Sequence, residues 1–197
     1  ALLVNRLGLS CKDTLKWQTT QGQMKTVLDL STREVIVETY LQRPSIEWKE
    51  IPFNKCDGRG EAEIELNSGR LSIFPISIGN PHAVIFQSNL SDQIPKMGLT
   101  LQESNIYKNG VNVGFVEVLN DKEINLRVVE RGVGETLACG SGACAAVLSG
   151  VKNNLLKSSV LVNFKKGKLK VEVNLDEEWF NLIGEAKYVE KGIKISS

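Results

Sequence analysis

The chain has 197 residues, 42% of them hydrophobic and 24% charged, an ordinary globular composition with enough apolar material for one large domain or two small ones. Its 24 basic residues against 23 acidic leave a net charge of +1, so no long-range field points to nucleic acid or to a membrane surface. A single histidine excludes a multi-histidine metal site, and no metal is expected.

The chain opens directly on Ala1-Leu2-Leu3-Val4, and no signal peptide is expected. Leu15 to Thr19 and Met24 to Leu28 read as strands around a turn at Gln21-Gly22, and Val35 to Leu41 as a third strand. Leu71 to Ile78 alternates with period two, and Ala83 to Phe86 continues after the turn Gly79-Asn80-Pro81. Leu90 to Leu101 has helical spacing broken by Pro95. Val113 to Leu119, Ile124 to Val129, Val160 to Phe164 and Leu169 to Leu175 are further strands. The lysines around Gly167 flank a hairpin turn and read as a solvated turn.

Gly140 to Asn153 differs from all of these. It is rich in Gly, Ala and Ser and has no charge before Lys152, so it reads as a helix buried all round, with small side chains that let strands approach it. The uncharged run Thr136 to Val151 is too short and too weakly apolar to span a bilayer. The sequence also repeats: shifted by 145, Ala1 to Leu30 lies on Ala146 to Leu175, matching Gly22 with Gly167 and the strand phase on either side. On this alignment Ala1 falls inside a helix, and the first copy's counterpart of the loop before that helix is expected upstream of residue 1.

That loop carries the chemistry. Cys139 sits in a glycine-rich turn at a helix start, where a thiol is expected to become a thiolate. The N–H groups of Gly140, Ser141 and Gly142 suit a carboxylate, and Gly132 and Gly134 let the preceding loop bend around a ligand. Cys144, inside the helix, reads as core. Glu130-Arg131 could clamp an amino acid, carboxylate to Arg and ammonium to Glu, or form a surface ion pair. Glu135 is expected to brace the loop by accepting backbone N–H bonds. Asn80 and His82 lie in Gly79-Asn80-Pro81-His82, and Asn112 in Asn109-Gly110-Val111-Asn112; each alone is also explained by turn chemistry or a structural histidine. The four cysteines lack metal-like spacing and are expected to be reduced thiols of a cytoplasmic protein.

The run Glu-Arg-Gly-x-Gly-Glu-Thr-x-Ala-Cys-Gly-Ser-Gly-Ala-Cys, with Gly-Asn-Pro-His-Ala-Val upstream, resembles the diaminopimelate epimerase family, and the resemblance covers essentially the whole chain. It implies an α+β fold of two pseudo-symmetric β-rolls, each wrapped around a central helix. It implies a cytoplasmic, usually homodimeric isomerase that needs no cofactor and converts LL-2,6-diaminopimelate to the meso form for lysine and peptidoglycan synthesis. Carried over residue by residue, Cys139 is one of two catalytic thiols. Gly140 and Ser141 hold the reacting carboxylate, Asn80, Asn112, Glu130 and Arg131 contact substrate, and His82 lies beside the reacting centre.

The Cys-Gly-Asn motif of the family's other thiol is not in this sequence: Cys11 follows the first helix, and Cys56 reads as a surface turn. The expected organisation is therefore an incomplete first domain, residues 1–40 plus 186–197, with a last strand from about Ala186, and a second domain, residues 41–185, carrying Cys139. A chain with one of the two thiols is expected to epimerise poorly alone. The alternative is an inactive relic or split subunit that binds a diamino acid or a partner chain.

Overall fold

The computed structural model describes residues 1–19, 22–31, 35–42, 61–66, 69–104, 106–107, 109–176 and 179–187. Three helices, α1 (Leu2–Arg6), α2 (Ile94–Glu103) and α3 (Gly140–Lys152), accompany twelve strands among these residues. In chain order these are β1 (Thr14–Thr19), β2 (Gly22–Asp29), β3 (Val35–Gln42), β4 (Ala62–Leu66), β5 (Gly69–Ser77) and β6 (Pro81–Phe86). They continue with β7 (Asn112–Asn120), β8 (Glu123–Glu130), β9 (Gly134–Thr136), β10 (Ser159–Phe164), β11 (Gly167–Asn174) and β12 (Trp179–Ala186). The strands form one curled sheet in the order β1-β2-β3-β12-β11-β10-β8-β7-β6-β5-β4, with β9 added to β8. Only β10–β8 and β6–β7 are parallel among these pairs.

The stretch from β5 to β8 is buried on both faces, which is why Ala83-Val84-Ile85 is a continuous apolar run rather than an alternating one. One face, with Val84, Val116, Leu126 and Val128, packs on α3. The other, with Ala83, Ile85, Val113, Phe115 and Val129, forms a second core with α2. Every residue of α3 from Gly142 to Gly150 is buried, as expected of a helix without a polar face. Helix α2 begins at Ile94, so Pro95 lies in its first turn, where its missing N–H has no intrahelical partner to lose. Pro95 therefore starts this helix and does not break it. Gly98 lets α2 lie against β8, since a Cβ there would come within 2.5 Å of Val129 Cγ2.

The repeat is visible in the strands. A shift of 145 carries Thr14–Thr19 onto Ser159–Phe164 and Gly22–Asp29 onto Gly167–Asn174, the bounds of β10 and β11. The pairing moves with it: Thr19 faces Gly22 as Phe164 faces Gly167, and Thr14 faces Val27 as Ser159 faces Glu172. The same shift places α1 within α3, but none of the α1 residues is buried. Strand β12 pairs with both β3 and β11 and so joins the two copies in one sheet. This is the pseudo-symmetric α+β roll, with α3 as the central helix of the second copy. The strand expected from about Ala186 and the Cys56 turn fall on residues outside those described, apart from the end of β12.

Candidate active site

The predicted residues converge at one end of the sheet. Strands β6 and β7 begin there, β8 ends there, and α3 starts there. His82 and Asn112 face each other across the parallel β6–β7 pair. Asn112 is buried and its Oδ1 accepts the Arg131 backbone N–H at 2.9 Å, which fastens the start of β7 to the loop leaving β8. Gln102 reinforces this from α2, its Nε2 donating to the carbonyls of Val111 and Val129, both at 3.0 Å. These are the residues just before Asn112 and Glu130.

His82 is 1% exposed, and its Nε2 lies 3.1 Å from Asn80 Oδ1. Burial alone pushes its pKa down to about 4, so the ring is neutral and its Nε2–H donates to the Asn80 side chain. Gly79, with φ +87°, makes the tight turn that brings Asn80 to this place.

Cys139 is the N-cap of α3. Its backbone is extended (φ −144°, ψ 113°), its carbonyl accepts the Ala143 N–H, and its Sγ accepts the Gly142 N–H at 3.4 Å. Ser141 Oγ lies 3.5 Å from the sulfur. The N–H groups of Gly140 and Ser141, first in the helix, have no carbonyl four residues back within the helix, and they are donors suited to an anion. The local sequence leads one to expect a thiol that ionises easily here, and the structure reverses that. Burial pushes the Cys139 pKa up, the nearby Glu130 carboxylate adds to the rise, and the bonds from Ser141 and Gly142 offset only part of it. Cys139 is 8% exposed, and desolvation outweighs the bonds from Ser141 and Gly142. Cys144 is fully buried and held still more firmly protonated, a core residue as its helical position implies.

The Glu130-Arg131 pair separates. The Glu130 carboxylate accepts the Thr136 hydroxyl at 2.6 Å and faces the Cys139 thiol, while Arg131 Nη1 donates to the Asn109 carbonyl at 2.6 Å. In this arrangement they do not form one clamp. Glu135 braces the loop, but through side chains and not through backbone N–H groups. Arg127 donates to it twice, Nε to Oε1 at 2.6 Å and Nη2 to Oε2 at 3.0 Å, and Lys165 Nζ adds a contact at 2.9 Å. Arg127 also reaches the Ser91 carbonyl at 2.7 Å. The hydrogen bond from Arg127 chiefly holds the Glu135 carboxyl below the usual range. Lys165, which the sequence places in a solvated turn, is thus an ion-pair partner. Three residues given no role from the sequence take part in the site: Gln102, Arg127 and Thr136. Arg127 carries a signal, since a cation inside the apolar run Ile124 to Val129 needs a buried partner.

Among the described residues no cluster of His, Cys, Asp and Glu could hold a metal ion, and no helix is long and apolar enough to cross a membrane.

Residues 74–189 match a family model described as diaminopimelate epimerase. The chain is 35% identical over 194 residues to the diaminopimelate epimerase of Teredinibacter turnerae, a match that covers 98% of this chain and 69% of that protein. It is 48% identical over 118 residues to that of Buchnera aphidicola, covering 59% of this chain and 41% of the relative. It is 38% identical over 174 residues to that of Acinetobacter baumannii, covering 87% and 61%. The chain thus spans 41% to 69% of the length of these relatives. In fold it is similar to a probable proline racemase from Agrobacterium radiobacter, with TM-score 0.67 at 12% identity, covering 98% of this chain and 65% of that one. It is also similar to a hydroxyproline epimerase from Agrobacterium vitis, with TM-score 0.65 at 16% identity, covering 93% and 60%.

Proposed function

The chain belongs to the diaminopimelate epimerase family, and from that premise we propose that it carries one of the two acid–base thiols that invert an α-carbon of 2,6-diaminopimelate. The observation that carries this reading is a buried cysteine at the N-cap of α3, beside the N–H groups of Gly140 and Ser141 that suit a carboxylate, with burial raising the thiol pKa. Substrate docks its reacting carboxylate on the N–H groups of Gly140 and Ser141, where the helix terminus stabilises charge spreading from the α-carbon. Asn80, Asn112, Glu130 and Arg131 position the amino acid, and His82 keeps Asn80 oriented.

A base on one face removes the α-proton, and the Cys139 S–H gives its proton to the carbanion from the other face. The C–H bond broken is replaced by one of opposite configuration. Cys139 is left as thiolate, held by the Gly142 N–H, and the base is left protonated. No cofactor enters these steps. The raised pKa of Cys139 suits this direction, since a thiol that stays protonated is ready to donate.

The opposite-face thiol is assigned to the part of the family's length that this chain does not span. On this reading residues 1–40 with 186–197 belong to one pseudo-symmetric unit and residues 41–185 to the other. The family setting is lysine and peptidoglycan synthesis in the cytoplasm by a homodimer. The alternative, a chain that only binds a diamino acid or a partner, rests on the single motif thiol.

The test is deuterium incorporation at the α-carbons of diaminopimelate in D2O, read by mass spectrometry, alongside calorimetric binding. The chain should bind diaminopimelate and exchange slowly, and Cys139→Ser should bind without exchange. Exchange that persists in Cys139→Ser refutes the role of this thiol, and binding with no exchange in the unsubstituted chain favours the binding-only alternative.

A further inference from the structure

We propose that Thr136 is a positioning residue that fixes the Glu130 carboxylate against the Cys139 thiol, and that β9 exists to hold it there. Strand β9 has three residues, and its pairing with β8 decides where their side chains go: Thr136 lies opposite Val128, Glu135 opposite Val129, and Gly134 opposite Glu130. Side chains alternate between faces along a strand. Thr136 therefore shares a face with Val128 and Glu130, and Val128 packs in the core around α3. Glu135 shares the opposite face with Arg127 and Val129, where α2 packs.

The short strand is thus fastened by side chains on both faces. On the α2 side the two-pronged Arg127–Glu135 pair holds it, tied further to the Ser91 carbonyl and to Lys165. On the α3 side the Thr136 hydroxyl donates to Glu130 Oε1. That bond to an anionic oxygen is of the strong, short class. It takes one carboxylate oxygen and limits the rotamers open to Glu130. Glu130 is half-buried at the end of β8, and without this donor its side chain is free to turn toward solvent. Among the described residues, Glu130 is the one carboxylate that acts on the thiol, and Cys144 is the other titratable group beside it in α3.

The proposal deepens the thiol reading of Cys139, yet its test reads the thiol directly and needs no turnover. Failure of the exchange experiment and failure of this one are therefore separable. The measurement is the pH dependence of iodoacetamide alkylation at Cys139, followed by peptide mass spectrometry, in the full chain. Protection of Cys144, which is fully buried, reports in the same digest that the protein is folded.

Thr136→Val keeps the β-branched shape and removes the hydroxyl. Its alkylation midpoint should move to lower pH, as the thiol loses an adjacent negative charge, and Thr136→Ser should restore the original curve. Glu130→Gln should move the midpoint in the same direction and at least as far. The double variant should coincide with Glu130→Gln alone, because Thr136 acts only through Glu130. Should Thr136→Val expose Cys144, Thr136→Ala replaces it, since β9 pairs with β8 through backbone. An unchanged midpoint in the hydroxyl-free variant, or a double variant in which the two shifts add in full, overturns the proposal.

Discussion

His82 offers a quantitative test, because it is the one histidine of the chain and its imidazole protons can be read by NMR without assignment. It is 1% exposed, lies between Ile76 and Asn112 in the sheet, and burial is the influence that governs its charge. That burial lowers its pKa from 6.5 to about 4. The sign follows from linkage. The unfolded chain, titrating near 6.5, binds a proton that the folded chain refuses until about pH 4. Stability from this group is complete above the unfolded value and is lost as pH falls through that window. Lowering the pH from 7 to 4 should cost about 3 kcal/mol from His82 alone, at about 1.4 kcal/mol for each pH unit between the unfolded and folded values. Carboxylates such as Glu135 add their own acid loss, so the quantity to isolate is a difference. Urea unfolding of the unsubstituted chain and of His82→Gln should be compared at each pH. The imidazole should stay neutral well below pH 6, and the stability difference should shrink by about 3 kcal/mol between about pH 7 and 4. An imidazole midpoint at or above that of the unfolded chain, or a stability difference independent of pH, refutes the argument that His82 is a buried neutral donor to Asn80.

Two further predictions concern stability. Cys139→Ala removes the sulfur that caps α3 and should cost about 1 kcal/mol, whereas Cys139→Ser supplies a better capping oxygen and should leave stability within about 0.5 kcal/mol, both by urea unfolding. Equal loss from both would mean that the Gly142 N–H to Sγ contact does not cap the helix. Arg127→Leu strands the Glu135 carboxylate beside a single, half-exposed Lys165 and should cost about 3 kcal/mol, while Arg127→Leu with Glu135→Leu should recover much of it. Hydrogen exchange of the β8–β9 amides would report whether the loss is local to this pairing.

Period-two alternation and turn residues are enough to find most of the sheet, because strands such as β1, β5 and β8 have turns or ordinary loops at their ends. Strand β12 escapes them since Trp179–Ala186 does not alternate: Asn181 is buried at its centre, donating to Glu38 on β3 and Glu172 on β11. That need for an internal amide emerges only once three strands are placed side by side. Strand β4 alternates as Ala62-Glu63-Ile64-Glu65-Leu66, but five residues are too short a signal to separate from the polar stretch around it. In the site, the linear motif yields the residues contributed by one loop. The partners contributed from elsewhere are not legible in it. Gln102 reaches the site from α2 and Arg127 from the middle of β8, while Thr136 stands in the motif but its bond to Glu130 follows only from the β8–β9 pairing.

The state of Cys139 shows why local sequence misjudges the chemistry of a loop that it singles out. A cysteine at a helix start is an argument for a thiolate, and the favourable contacts are all present: the Gly142 N–H, the Ser141 hydroxyl and the terminus itself. Against them stand burial against the roll and the Glu130 carboxylate, which depend on residues brought from other strands. Both costs fall on the charged form, and together they exceed what one N–H and one hydroxyl return. On the proposed function, a substrate carboxylate on the N–H groups of Gly140 and Ser141 would bring a second anion to the helix terminus. In the proposed mechanism that second anion would disfavour the thiolate further, until a carbanion formed by proton loss on the opposite face accepts the thiol proton. Burial and Glu130 thus favour the protonated thiol at rest, and on the proposed function the free N–H groups of the helix terminus are left for the substrate's charge.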